Sequence, residues 1–176
     1  MVRLRLAVVL VMLAGPSIAE ATLQQTYLSV YLEINDAERS ELGKDYIGAL
    51  VRFQVAEAFL VKMHTCDANW EIDLLQHRIK DCQEEITKLT PLAAKELSQS
   101  NDAWPLDGEK LGQNGWSEVD QSQTKLTFWQ LMKLNHPGSD QGVFDQKIRE
   151  GSKTVDELVT AAVEKVSAST PGGVRQ

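Results

Sequence analysis

Several things are missing from this sequence, and each absence excludes something. Beyond its first 21 residues, no stretch is long and apolar enough to cross a bilayer, which takes about 20 such residues. Basic residues are in the minority, 18 against 25 acidic ones, for a formal charge of −7. That balance opposes a nucleic-acid or anionic-membrane partner, since both select a basic surface. It permits a cationic partner. No Asn-x-Ser/Thr sequon occurs, so nothing points to N-glycosylation. There is also no nucleophile elbow, HExxH, phosphate loop, haem-attachment CxxCH or EF-hand loop, which lowers the case for an enzyme without removing it.

The ends are read first. Arg3 and Arg5 precede nine uninterrupted apolar residues, Leu6 to Ala14, then Gly15-Pro16 and small residues at Ser17, Ala19 and Ala21. This is the pattern of a secretory signal peptide, over residues 1–21 and cleaved after Ala19 or Ala21. Nine apolar residues are too few for a membrane anchor. The expected product is a soluble periplasmic or secreted protein. Cleavage after Ala19 removes two positive charges and makes it more acidic still. "SASTPGGVRQ" reads as a frayed end, with residues 169–176 a disordered tail.

What lies between is helical in pattern. Residues 22–34 fit both a helix and an alternating strand; helix is preferred because no partner strand appears elsewhere. Asn35 or Asp36 can cap the next helix. From Tyr46 onward, Ile47, Leu50, Val51, Val55, Ala58, Phe59, Met63 and Cys66 form one apolar stripe, with Phe53, Leu60 and Val61 off it. A helix apolar on more than one side is buried on more than one side. Next, Ile72, Leu75, Ile79, Cys82, Ile86 and Leu89 step by three and four, an a/d seam. Packed on the preceding helix across a turn near Asp67–Trp70, it would make an antiparallel hairpin.

Pro91 fits the first turn of a short continuation to Ser98. Residues 99–123 are rich in Gly, Asp, Asn, Gln and Ser and read as a long irregular loop. Helix then resumes over Thr124–Leu134, again from Ser139 or Asp140 to Glu150, where Gly151 stops it, and again after the capping box Thr154–Glu157. The fold class is all-α: a single domain over residues 22–168, a bundle of five to six helices around a central antiparallel helical hairpin.

Two features carry candidate function. Cysteine is scarce, only Cys66 and Cys82, and both fall in "MHTCDANWEIDLLQHRIKDC" beside His64 and His77. Export and an even count favour a disulfide, and a bridge is expected. The hairpin geometry objects: with the turn near Asp67, Cys82 sits about 20 Å along the second helix. A metal set of His64, Cys66, His77 and Cys82 fits no compact spacing, and two buried thiols are the third reading. No metal site and no cofactor are expected. His77 reads as a solvated face, and His136 as a residue favoured near a helix C-terminus.

The second feature is Trp104 and Trp116 inside the long loop. They are candidate partner-binding aromatics, against the plainer reading that they pin the loop to the body. The function these readings favour is non-catalytic binding of another protein, as an adaptor, chaperone, inhibitor or immunity-like protein. A periplasmic metal or small-ligand carrier and an enzyme without a recognisable motif stand as alternatives.

Overall fold

The computed structural model describes residues 18–67, 70–100 and 117–168, with side chains described for 23–67, 70–100 and 118–165. Among them are five α-helices and no strand: α1 Ile18–Leu42, α2 Tyr46–Cys66, α3 Ile72–Gln99, α4 Ser117–Asn135 and α5 Gln141–Ala168. The chain is a helical bundle. The expected tail, Trp104, Trp116 and residues 1–17 of the expected leader lie outside the described residues. The helix α1 runs through both expected cleavage positions, Ala19 and Ala21. No helix among the described residues is long and apolar enough to cross a membrane.

The centre is α2. Ile47, Leu50, Val51, Phe53, Val55, Phe59, Leu60 and Met63 are all buried, and α2 packs against each of the other four helices. Burying a side chain such as Phe59 is worth about 1.5–3 kcal/mol, so a helix with this many is where the cohesion concentrates. Against it, α3 presents Leu75, Cys82 and Leu89 buried, with Ile79 and Ile86 packed at their edges. Ile72, the first residue of the seam, is 39% exposed. Polar contacts fix the direction: Gln83 donates to Glu57 at 2.8 Å. At the opposite end of α3, Glu96 accepts the backbone N–H groups of Tyr46 and Ile47 at 2.8 and 3.1 Å.

Those last bonds matter to α2. A helix start leaves four N–H groups without partners inside the helix. Here Asp45 takes Gly48 N–H at 2.9 Å and Glu96 takes two more from the neighbouring helix. Both carboxylates sit at the positive end of the α2 dipole. A Cβ at Gly48 would run into the Asp45 carboxylate, so the small residue belongs to the cap.

Four boundaries differ from the sequence reading, each for a physical reason. The helix α1 does not restart at Asn35: it continues through, and Asn35 Nδ2 donates to Tyr31 O at 3.0 Å. Pro91 lies inside α3 rather than near a new start; it is exposed, and Thr90 Oγ1 bonds back to Ile86 O at 2.6 Å beside it. The helix α4 begins at Ser117, so residues 117–123 are helical rather than part of the long loop. Finally, α5 is continuous through Gly151. That glycine does not stop the helix. A Cβ there would sit 3.3 Å from the Leu126 side chain, so it lets α5 approach α4. Thr154 does not cap a new helix either, because its hydroxyl donates to Glu150 O at 3.0 Å.

Candidate functional site: the groove between α1 and α3

Both α1 and α3 pack on α2, and their backbones make no close approach to each other. This leaves a groove between them with a cavity of about 230 Å³. Its apolar lining is Ile34 of α1, Phe53 of α2 and Cys82 of α3. Its walls are charged: Glu38 on one side, and Arg78, Asp81, Glu84 and Glu85 on the other. The helical period explains the arrangement. Ile34 and Glu38 are one turn apart on α1, and Arg78, Asp81 and Glu85 repeat at three and four on α3.

Side chains bridge the groove on both flanks of the cavity. On one flank Tyr27 meets Trp70 edge to face, with ring centroids 5.9 Å apart, and Tyr27 also hydrogen-bonds Arg78, the main cause that holds the guanidinium pKa above its ordinary value. On the other flank Lys88 reaches Glu41 at 2.8 Å and Glu85 at 2.5 Å. Beside the groove α1 exposes Tyr31, at 43%, close enough to Arg78 to act on its charge. Leu28 and Leu32 are exposed as well, but Leu32, two residues from Ile34, points to the far face of α1.

The two cysteines lie apart in this structure. Both are free, Cys66 exposed at the C-terminus of α2 and Cys82 buried in α3. Cys66 is the last residue of α2, while Cys82 lies ten residues past Ile72, where α3 begins, about 15 Å along the axis. That exceeds what a disulfide spans, about 4.4–6.8 Å between Cα atoms. Burial, and then Glu57 and Asp81 nearby, push the Cys82 thiol up to about 12. It is the opposite of an activated nucleophile.

The histidines are scattered. His77 is exposed on α3, 3.6 Å from Asp81. His64 lies in the last turn of α2 with a buried, unpartnered Nδ1. His136 follows the end of α4, its N–H bonded to Met132 O at 3.0 Å. Among the described residues, no three His, Cys, Asp or Glu side chains gather where they could hold an ion.

A second polar assembly was not foreseen from sequence at all. On the other side of α2, Arg52 Nη1 donates to Glu33 Oε1 at 2.7 Å, and Glu33 is 1% exposed. Asp120 of α4 is 2% exposed, and its Oδ2 has no hydrogen-bond partner, nor has Arg52 Nε. Burial first, then the Glu33 charge, raises the Asp120 carboxyl from 3.8 to about 7, with Arg52 pulling the other way.

Amides and hydroxyls continue this assembly along α4. Gln54 Oε1 accepts from Gln123 Nε2 at 3.0 Å and from Thr127 Oγ1 at 2.5 Å. Gln54 Nε2 donates to Gln130 Oε1 at 3.2 Å. A signal existed in the sequence: Glu33 falls on the step Thr26, Val30, Glu33, Ala37, and Asp120 on the step Asp120, Gln123, Thr127, Leu131. Both are core positions by spacing, occupied by polar residues.

No protein-family model, no curated protein and no solved structure matches this chain.

Proposed function

We propose that the protein is an exported, non-catalytic binding protein, and that the groove between α1 and α3 holds a segment of a partner protein carrying basic side chains beside apolar ones. The observation that carries this reading is the composition of the groove. Glu38, Asp81, Glu84 and Glu85 line it with one guanidinium, Arg78; Lys88 and Lys80 pair with Glu85 and Glu84 from outside the lining, and the surrounding chain is itself at −7. A low-dielectric floor under clustered carboxylates concentrates their field on a cation. Exposed Tyr31, near Arg78, supplies apolar contact next to it. An amphipathic helix laid in a groove is a recurring mode of such recognition. Trp104 and Trp116 are proposed to add aromatic contact to the same partner.

Size and chemistry weigh against the alternatives. A cavity of about 230 Å³ falls below the roughly 300–1,000 Å³ of small-ligand pockets, which disfavours this groove as a small-ligand site. The one thiol in the groove has its pKa raised to about 12, which disfavours nucleophilic catalysis there.

The test is fluorescence anisotropy with two labelled helical peptides, one of leucine and lysine and one of leucine and glutamate. The basic peptide should bind, weaken as salt rises, and lose about tenfold in affinity on the double substitution Glu38→Gln, Glu85→Gln. Binding of both peptides alike, or unchanged binding to the double variant, would refute the groove as the site.

A further inference from the structure

We propose that Glu33, Arg52 and Asp120 form a proton-operated latch between the α4–α5 pair and the layer of α1, α2 and α3, closed while Asp120 carries its proton and loosened when it loses it. The three residues come from three helices, α1, α2 and α4, so the cluster exists only while α4 is seated. Two carboxyl groups share one guanidinium. Arg52 Nη1 is already committed to Glu33 at 2.7 Å, and Asp120 Oδ2 is buried without a partner. A second carboxylate ionised there adds an uncompensated buried charge, which is costly and is relieved by exposure to water.

The charges acting on Asp120 are Glu33 and Arg52. The core positions of α5 are uncharged, Val155, Val159 and Val163. The amide of Asn135 donates to Ala94 O of α3 at 2.8 Å, at the far end of α4 from Asp120. The titration of Asp120 near neutrality places the change where solution pH can operate it. The bonds of the other polar groups between α2 and α4 can also be remade with water. Gln54, Gln123, Thr127 and Gln130 bond one another there, and such bonds exchange for water with little net cost.

Hydrogen–deuterium exchange, corrected for the intrinsic pH dependence of amide chemistry, tests this on the whole protein at pH 5 and pH 7. An open state with an ordinary Asp120 becomes roughly tenfold more populated per pH unit. Protection of α4 and α5 should therefore fall by about a hundredfold, with α2 and α3 changing much less, and Asp120→Asn should abolish the fall. Carbon-13 titration of the Asp120 carboxyl in the unmodified protein gives a reading independent of any variant. A midpoint near 4, a loss spread evenly over all five helices, no loss, or the same loss in Asp120→Asn would each overturn the latch.

Discussion

On one flank, α2 meets α3 through Leu75, Cys82 and Leu89, with polar groups only at the margins, where Gln83 reaches Glu57 and Glu96 caps the helix start. On another, it meets α4 through Gln54, Gln123 and Thr127, with Asp120 buried and Arg52 half-buried nearby. The same 21-residue helix thus carries an apolar seam and a polar one. Apolar burial is non-directional and additive in area. Buried hydrogen bonds contribute little net stability but penalise any arrangement that leaves them unmade. The first seam should therefore supply cohesion, and the second should fix how α4 sits while holding it less firmly.

The sharpest break of that comparison is to unpair the buried ion pair. Arg52→Met removes the guanidinium that pairs with Glu33, which is 1% exposed. It should destabilise by about 3–5 kcal/mol, measured by urea unfolding, although the substitution adds apolar area. Leu89→Ala in the other seam, at 0% exposure, should cost about 2–5 kcal/mol through lost burial and the cavity left behind. The two differ in rescue. Glu33→Gln should recover much of the Arg52→Met loss, whereas no polar change should recover Leu89→Ala. Lack of rescue would mean that Arg52 acts through its aliphatic stem instead.

A smaller effect is expected from pH. The Asp120 carboxyl is raised from 3.8 to about 7 in the folded state, so the folded protein binds the proton more tightly than the unfolded chain. Its contribution is fully present below about pH 4 and is lost as pH rises to about 7, with no further change above. Three units correspond to about 4 kcal/mol as an upper bound. Burial raises Glu96 in the same direction, against the two N–H bonds it accepts. Urea midpoints at pH 5 and pH 8 should differ in the unmodified protein, pH 5 being the more stable. Asp120→Asn should bring them together chiefly by raising the value at pH 8. A protein more stable at pH 8 would contradict the burial of Asp120.

What the sequence made legible follows the same division. The stripe of α2 and the seam of α3 were readable because their core positions are apolar and recur at three and four, so hydropathy and spacing agree. Residues 117–123 of α4 read as loop because Asp120 and Gln123, both buried, belong to a core face that hydropathy scores as surface. Gly151 reads as a stop by composition, yet it serves as a contact with Leu126, and only the neighbouring helix reveals that. The cysteines were pulled toward a bridge by the chemistry of the expected compartment. Cys66 ends α2, and Cys82 lies well inside α3. Of the groove, Asp81 and Glu84 could be assigned to outer faces of their helix. That α1 would lie opposite them was not written in any local pattern.

The smallest expected effect separates cohesion from specification within the polar seam. Gln54→Leu alone removes the acceptor shared by Gln123 and Thr127, leaving the Gln123 amide its 3.3 Å bond to Thr127 Oγ1 and the Thr127 hydroxyl its bond to the Gln123 carbonyl. It should cost about 1–3 kcal/mol. Thr127→Val alone removes one donor, its hydroxyl proton being shared between Gln54 Oε1 and the Gln123 carbonyl at 2.9 Å. It should cost about 1 kcal/mol. The triple substitution Gln54→Leu, Gln123→Leu, Thr127→Val removes all three partners and adds apolar area. Its net change should be close to zero, well short of the sum of the single losses. Gln130, half-exposed at the edge, can turn to water. If the triple variant instead loses as much as the singles combined, the amides hold the bundle together in their own right. If it keeps its stability but its α4 amides broaden in the NMR spectrum, the polar seam chooses one seating of α4 among several apolar ones, as a buried polar position fixes register in a coiled coil.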